Sequence, residues 1–329
     1  MVKRDKNPIP FLAGNGRKSR ANRRADCRLI MVAAILFAIG MTLPVSCLAG
    51  ENPLYIENEW NYVDGSIDVS KGIPENSGGR LARIRDAGKM TVATSPYYPP
   101  QEYIDETKTG MDRFAGADME LARLIAQRMG VELEIVPMEF TDVLSTVADG
   151  KYDLAVSALS FTSGRAAVLE MSKGYYFSSE QASSGLLIRE DDAGAIRSAA
   201  DLANKDIVAQ RGSLQETMAA DNISFYRKFR RLSSAGDVYD AVREGKADAG
   251  VVDIAIARVY IESHPGCGLM IVPDVTFVLQ SQYLGDRIAA QKGEIELMYF
   301  VNGVIDEVLA SGQYENWFEY YARHSASQN

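Results

Sequence analysis

The stretch from Asp153 to Arg165 reads DLAVSALSFTSGR. Its first half is apolar and reads as a buried strand; its second half turns to hydroxyls, a glycine and one arginine. In open α/β sheets, ligands sit beyond the carboxyl ends of strands. The polar end of this strand offers Ser157, Ala158, Ser160 and Arg165. Thr162 is placed to cap a helix beginning SGRAAVLEM. A helix start favours anions through its free N–H groups, and a guanidinium adds a planar fork that fits a carboxylate. The stretch therefore predicts an anion site, most simply for a carboxylate.

A second copy of the pattern lies downstream. VADGKYDLAVSALS, from Val147, resembles VREGKADAGVVDIA, from Val242. Each reads as a helix end, Gly-Lys, one residue, Asp and an apolar strand, and Gly150 and Gly245 are 95 residues apart (245 − 150). Any helix-turn-strand junction favours this chemistry. Two similar α/β lobes, each with its own sheet, explain it more fully, because the copies end in opposite charge. The second ends in Asp253, after Gly250-Val251-Val252. An acid at a buried strand end needs a cationic partner. Two lobes facing each other would clamp a zwitterion, an amino acid for example, between Arg165 and Asp253. Alternatively, these two residues pair with each other or with other charges.

Outside the repeat, LARIRDAGKM reads as a short helix stopped at Gly88, and KMTVAT as a strand. SPYYPPQEYIDETKTGMDRF reads as a long loop. GADMELARLIAQRMG places Met119, Ala122, Ile125, Ala126 and Met129 on one helix face. VELEIV alternates, and TDVLSTVADG is a short helix ending at Gly150. Strands alternating with helices predict a largely parallel α/β sheet.

The first 49 residues carry nine Lys or Arg against two Asp, then the apolar run LIMVAAILFAIGMTLPV and SCLAG. That order predicts a secretory signal peptide cleaved near Ala49 rather than a retained anchor. Cys47 as a lipid-attachment site is the lesser alternative, since Pro44-Val45-Ser46 fits it poorly. Arg23-Arg24 lacks the apolar residue that twin-arginine export requires. Removing the leader leaves 26 basic (35 − 9) and 42 acidic (44 − 2) residues, a net of −16. Such a chain is a poor partner for nucleic acid or anionic lipid. Cys267 would be the single remaining cysteine, which excludes an intrachain disulfide and a Cys-based zinc site. His264 and His324, in a turn and a polar tail, offer no Ser-His or Cys-His pair. No catalytic residue, metal site or cofactor is expected.

At these residues the chain resembles the periplasmic solute-binding proteins of ABC transporters, in the family that binds polar amino acids (extracellular solute-binding protein family 3). The resemblance runs from about Leu81 to Tyr321. It is carried by YYPPQEY, GADMELARLIAQRMGVELEIVPMEF, GKYDLAVSALSFTSGRAAVLEMSKGYY, DLANKDIVAQRGSLQE, GKADAGVVD and GQYENWFEYY, in that order. It implies an α/β, type II periplasmic-binding-protein fold: two lobes, each a mixed, mostly parallel sheet flanked by helices, joined by two hinge strands. The implied division is signal peptide 1–49, extension 50–79, lobe 1 at 80–187 and 285–325, lobe 2 at 188–284, and tail 326–329.

The resemblance further implies that Arg165 grips the ligand's α-carboxylate, helped by Ser160 and by backbone N–H at Ser160 and Ser213. Asp253 takes the α-ammonium, with Ser157 or the backbone near Ala158. Tyr98 and Phe140 line the side-chain pocket, and Ser95, Gln210, Leu214 and Gln215 sit where the family sets specificity. The chain departs from the family at Gln101, where an aromatic is frequent, and at Gly116-Ala117-Asp118, where Gly-Phe-Asp is usual. Basic-amino-acid binders often carry an acid where Ser95 stands, which favours a neutral or polar ligand. Gln101 and Glu102 read as surface residues, and Tyr97 as a packing aromatic.

The implied function is capture of an amino acid and delivery to an inner-membrane ABC permease by a monomeric periplasmic protein. Two alternatives share the fold: a cyclohexadienyl or arogenate dehydratase, and a ligand-sensing partner of a membrane receptor. HPGCGLMIVP is similar to the dehydratase group. An elimination needs a positioned general acid, and no buried Glu or Lys stands out, since Lys151, Lys205 and Lys246 read as turn residues.

Overall fold

The computed structural model describes residues 68–177, 183–278 and 284–325. The signal peptide and Cys47, most of the extension, the middle of both crossovers and the tail lie outside the described residues. From Asp68 the chain is already packed: Val69, in a short 3-10 turn, is buried in the first core.

In chain order the elements are α1 (Gly79–Ala87), β1 (Lys89–Thr94), β2 (Tyr97–Tyr98), β3 (Glu102–Ile104), β4 (Phe114–Ala115), α2 (Ala117–Met129), β5 (Glu132–Pro137), α3 (Phe140–Ala148), β6 (Leu154–Ser160), α4 (Ser163–Val168) and β7 (Leu169–Met171). After the first crossover come β8 (Ser183–Arg189), β9 (Asp206–Gln210), α5 (Leu214–Asn222), β10 (Lys228–Leu232), α6 (Ala235–Arg243), β11 (Ala249–Asp253), α7 (Ile254–Ser263) and β12 (Leu269–Val278). The chain then returns through β13 (Asp286–Gln291), α8 (Ile295–Ser311) and α9 (Gln313–Ser325). The predicted loop from 95 to 114 is more ordered than expected: β2, β3 and β4 form a small antiparallel sheet within it.

Two five-stranded mixed sheets result. The first runs β5-β1-β6-β13-β7, with β1 parallel to β5 and β6. The second runs β10-β9-β11-β8-β12, with β9 parallel to β10 and β11. In each sheet the antiparallel strand beside the central parallel one, β13 or β8, is entered by a crossover. Because β8 lies wholly in the second sheet, the change of lobe precedes Ser183 rather than following 187.

Both sheets are covered on both faces, so their central strands are apolar runs rather than alternating ones. The period of two still sorts the side chains. In β6, Leu154 and Val156 face one core layer with α1, α2 and α8, whereas Ala155 and Leu159 face another with α3. In β9, Ile207 and Ala209 face one layer and Val208 the opposite one.

The sequence repeat is a structural repeat. Gly150 and Gly245 both adopt left-handed conformations, φ 73° and 71°, between a helix and the next strand. The Asp three residues later pins the strand beside it. Asp153 Oδ2 accepts from the Thr91 amide at 2.7 Å; Asp248 Oδ2 accepts from the Asp206 amide at 2.7 Å. A cation completes each junction. Arg80, buried, donates to Asp153 Oδ1 at 3.0 Å and to the Gly150 carbonyl at 2.8 Å. Lys205 Nζ lies 3.5 Å from Asp248 Oδ1.

Candidate functional site

The carboxyl ends of β1 and β6 face those of β9 and β11 across a cleft of about 900 Å³, part of it open to solvent. The twelve residues expected at the site all line it: Ser95, Tyr98, Phe140, Ser157, Ala158, Ser160, Arg165, Gln210, Ser213, Leu214, Gln215 and Asp253. The lobes touch around it. Tyr98, on the small sheet, packs against the second lobe's core beside Val238 and Tyr239.

The α4 helix is a single short turn, capped by Thr162 Oγ1, which accepts from the Arg165 amide at 3.1 Å. This turn aims Arg165 into the cleft. Its Nη1 donates to the Ser160 carbonyl at 2.7 Å, its Nη2 to the Gly212 carbonyl at 3.0 Å, and Phe140 lies beneath it at 5.4 Å. Burial pushes the guanidinium down to about 10, still protonated at neutral pH. Opposite, Asp253 caps α7 by accepting from the Ile256 amide at 3.1 Å.

The serines are more committed than expected. Ser157 Oγ accepts from the Ser95 amide at 3.1 Å and donates to Glu102 Oε1 at 2.9 Å. Ser213 Oγ caps α5 and donates to the Gln210 carbonyl at 2.8 Å, while the Ser213 amide also turns to that carbonyl, at 3.3 Å.

Gln101 and Glu102 are not surface residues: each is 1 % exposed and lines the cleft. Tyr97, Tyr176, Ala255, Ile256, Gly285 and Asp286 line it as well. Gln101 and Glu102 carry a signal in the sequence, a Gln-Glu pair next to YYPP, which their polar character masks. Asp286 carried no signal, because its partner Gln101 is 185 residues away.

Residues 90–324 match the family described as bacterial extracellular solute-binding proteins, family 3. The chain belongs to that family. This solute-binding protein is 27% identical over 235 residues to the arginine-binding extracellular protein ArtP of Bacillus subtilis, covering 70% of this chain and 86% of ArtP. Among solved structures it is similar to the amino acid ABC transporter substrate-binding protein AbpA of Streptococcus pneumoniae bound to L-arginine, with TM-score 0.66, 33% identity, and 75% and 99% of the two chains covered. It is also 28% identical over 192 residues to the cyclohexadienyl dehydratase of Pseudomonas aeruginosa, covering 56% and 67%.

The solute-binding protein also holds a group of acids behind and beside the cleft. Asp118, fully buried at the start of α2, accepts from the Ala158 amide at 2.8 Å, Tyr175 Oη at 2.8 Å and Tyr314 Oη at 2.5 Å. Glu102 lies against it. Burial, and then the Asp118 charge, push the Glu102 carboxyl well above the usual carboxylate range. Asp286 Oδ2 accepts from Gln101 Nε2 at 2.7 Å. Burial first, then the nearby acids, push its carboxyl up to about 8. The expectation of no buried acid is thereby corrected: Glu102 is one, and it faces the cleft. Among the described residues no cluster of His, Cys, Asp and Glu is arranged to hold a metal.

Proposed function

We propose that this solute-binding protein captures an amino acid between its lobes, outside the cytoplasmic membrane, and delivers it to an ABC-transporter permease without turning it over. The observation that carries this is the opposition of Arg165 and Asp253 at strand ends of different lobes in one cleft. The guanidinium takes the α-carboxylate and the Asp253 carboxylate the α-ammonium, while Tyr98 and Phe140 enclose the side chain. Each lobe supplies half the site, so the closed form gains contacts that the open form lacks, and ligand shifts the population towards closure. The preference for a neutral or polar ligand, drawn from Ser95, weighs one wall of the cleft only.

A second reading is favoured by one observation, the buried Glu102 carboxyl in the cleft, which burial and the Asp118 charge push well above the usual carboxylate range. A protonated carboxyl is a general acid suited to expelling a hydroxyl from a carboxylated ring held on Arg165.

A thermal-shift screen of the protein against the common amino acids, prephenate and arogenate tests both. A ligand at ~1,000 times its Kd adds ~4 kcal/mol to stability. Stabilisation by amino acids recovered unchanged supports the binding protein. Prephenate or arogenate giving stabilisation and product replaces it with a dehydratase. Silence towards every amino acid overturns the proposal.

A further inference from the structure

Among the described residues, four carboxyl or guanidinium side chains line the cleft: Glu102, Arg165, Asp253 and Asp286. Glu102 Oε1 is taken up by Ser157 Oγ at 2.9 Å, and its carboxyl lies against Asp118. A zwitterionic amino acid engages Arg165 and Asp253 with its backbone groups. Asp286 is then left over.

Its position is rigid. Asp286 opens β13 at the return crossover, where its amide donates to the Tyr176 carbonyl at 3.0 Å and its carbonyl accepts from the Tyr175 amide at 2.8 Å. Its Oδ2 is held by Gln101 Nε2. Four elements present charged or titratable groups to it: Glu102 from β3, Asp118 from α2, Arg165 from α4 and Asp253 from β11. The phenols of Tyr98, Tyr175, Tyr176 and Tyr314 complete its surroundings. Arg287, beside it in sequence, turns away to the Ser172 carbonyl at 2.8 Å and the Phe161 ring. Arg165, the cation of this group, is held by Ser160 and Gly212 and aimed at the ligand's carboxylate. A carboxylate in such a cleft is costly unless a cation reaches it.

We infer that Asp286 is a specificity-determining residue that receives a cation on the ligand's side chain, so that the ligand is an amino acid carrying a second positive charge. This rests on the amino-acid reading above. The empty site holds a proton on Asp286 near neutral pH. An arriving ammonium or guanidinium takes its place, the carboxyl O–H bond breaks, and the proton leaves to buffer.

Titration calorimetry of the full chain with arginine, lysine, glutamine and serine, in two buffers of different ionisation heat at pH 7.5, tests this. Wild type should bind arginine or lysine at least ~10-fold more tightly than glutamine and release a proton in doing so. Asp286→Asn should weaken the cationic ligand at least ~10-fold, hold glutamine within ~3-fold, and abolish proton release. Equal weakening of all ligands by Asp286→Asn assigns the residue a structural role and overturns the inference. Wild type that binds neutral amino acids alone overturns the inference and leaves the amino-acid reading standing. Wild type that binds no amino acid overturns both.

Discussion

Arg165 of the first lobe donates from Nη2 to the carbonyl oxygen of Gly212 in the second, at 3.0 Å. The guanidinium proposed to hold the ligand's carboxylate thus also ties the lobes together. Its other terminal nitrogen is fixed by Ser160, so its plane is set before a ligand arrives. Pre-set geometry reduces the ordering cost of binding.

Arg165→Lys keeps the charge but loses the fork, and one ammonium cannot serve Ser160, Gly212 and a carboxylate in the same geometry. Affinity for the amino acid should fall by at least ~30-fold, as for other buried charge partners. The ligand-free variant should also have a larger radius of gyration by small-angle scattering. Unchanged affinity would remove Arg165 from the site.

Asp253 has two tasks that substitutions separate. It caps α7, and it is proposed to hold the α-ammonium. Asp253→Ser retains a capping oxygen, so stability should stay close to wild type while tight binding is lost. Asp253→Ala should lose binding and also about 1 kcal/mol of stability from the missing cap. Chemical denaturation alongside calorimetry reads both; full affinity in the serine variant would show the carboxylate to be a cap alone.

Gly116 holds φ 119° where α2 begins, and a Cβ there would lie 2.2 Å from the Gln101 carbonyl oxygen. The approach is needed because the Asp118 amide donates to that same oxygen at 2.9 Å. Gly116→Ala should therefore cost ~2 kcal/mol or more, since both backbone strain and overpacking oppose it. It should also weaken ligand binding, because Gln101 and Glu102 move with the displaced strand. Urea denaturation of the variant checks the first effect. A stability within 0.5 kcal/mol of wild type, the range of about ±0.5 kcal/mol typical of surface changes, would contradict it.

The raised carboxyls make stability depend on pH in a defined direction. Asp286 holds its proton to about pH 8 when folded, against an ordinary value of 3.8. Between those limits the folded protein binds more protons than the unfolded chain, so stability falls as pH rises. Glu102 acts in the same direction. The melting temperature of the ligand-free protein should decline from mildly acidic pH towards pH 8, and Asp286→Asn should flatten that decline. A melting temperature that rises steadily over this range would contradict the raised Asp286 carboxyl.

Much of the fold was legible because it rests on local chemistry. DLAVSALSFTSGR announced a strand opening onto a site, and its weaker copy ending at Asp253 announced the second lobe. Helix stops, apolar periodicity and the Thr162 cap act within a few residues, so sequence alone specified them. Strand ends in an α/β lobe converge by topology, which pointed to Ser157, Ser160, Arg165 and Asp253; the rest of the twelve residues that line the cleft were implied by the family resemblance. Their surroundings were decided only by the tertiary structure. Nothing local tells that Gln101 and Glu102 are buried, because the small sheet and α2 that cover them pack through Gly116 and Asp118. Nothing near Asp286 marks it as a cleft residue, since Gln101 and Arg165 reach it from distant parts of the chain. Its charge state follows from desolvation and from neighbours on several elements, which act through space and leave no period or spacing in the sequence.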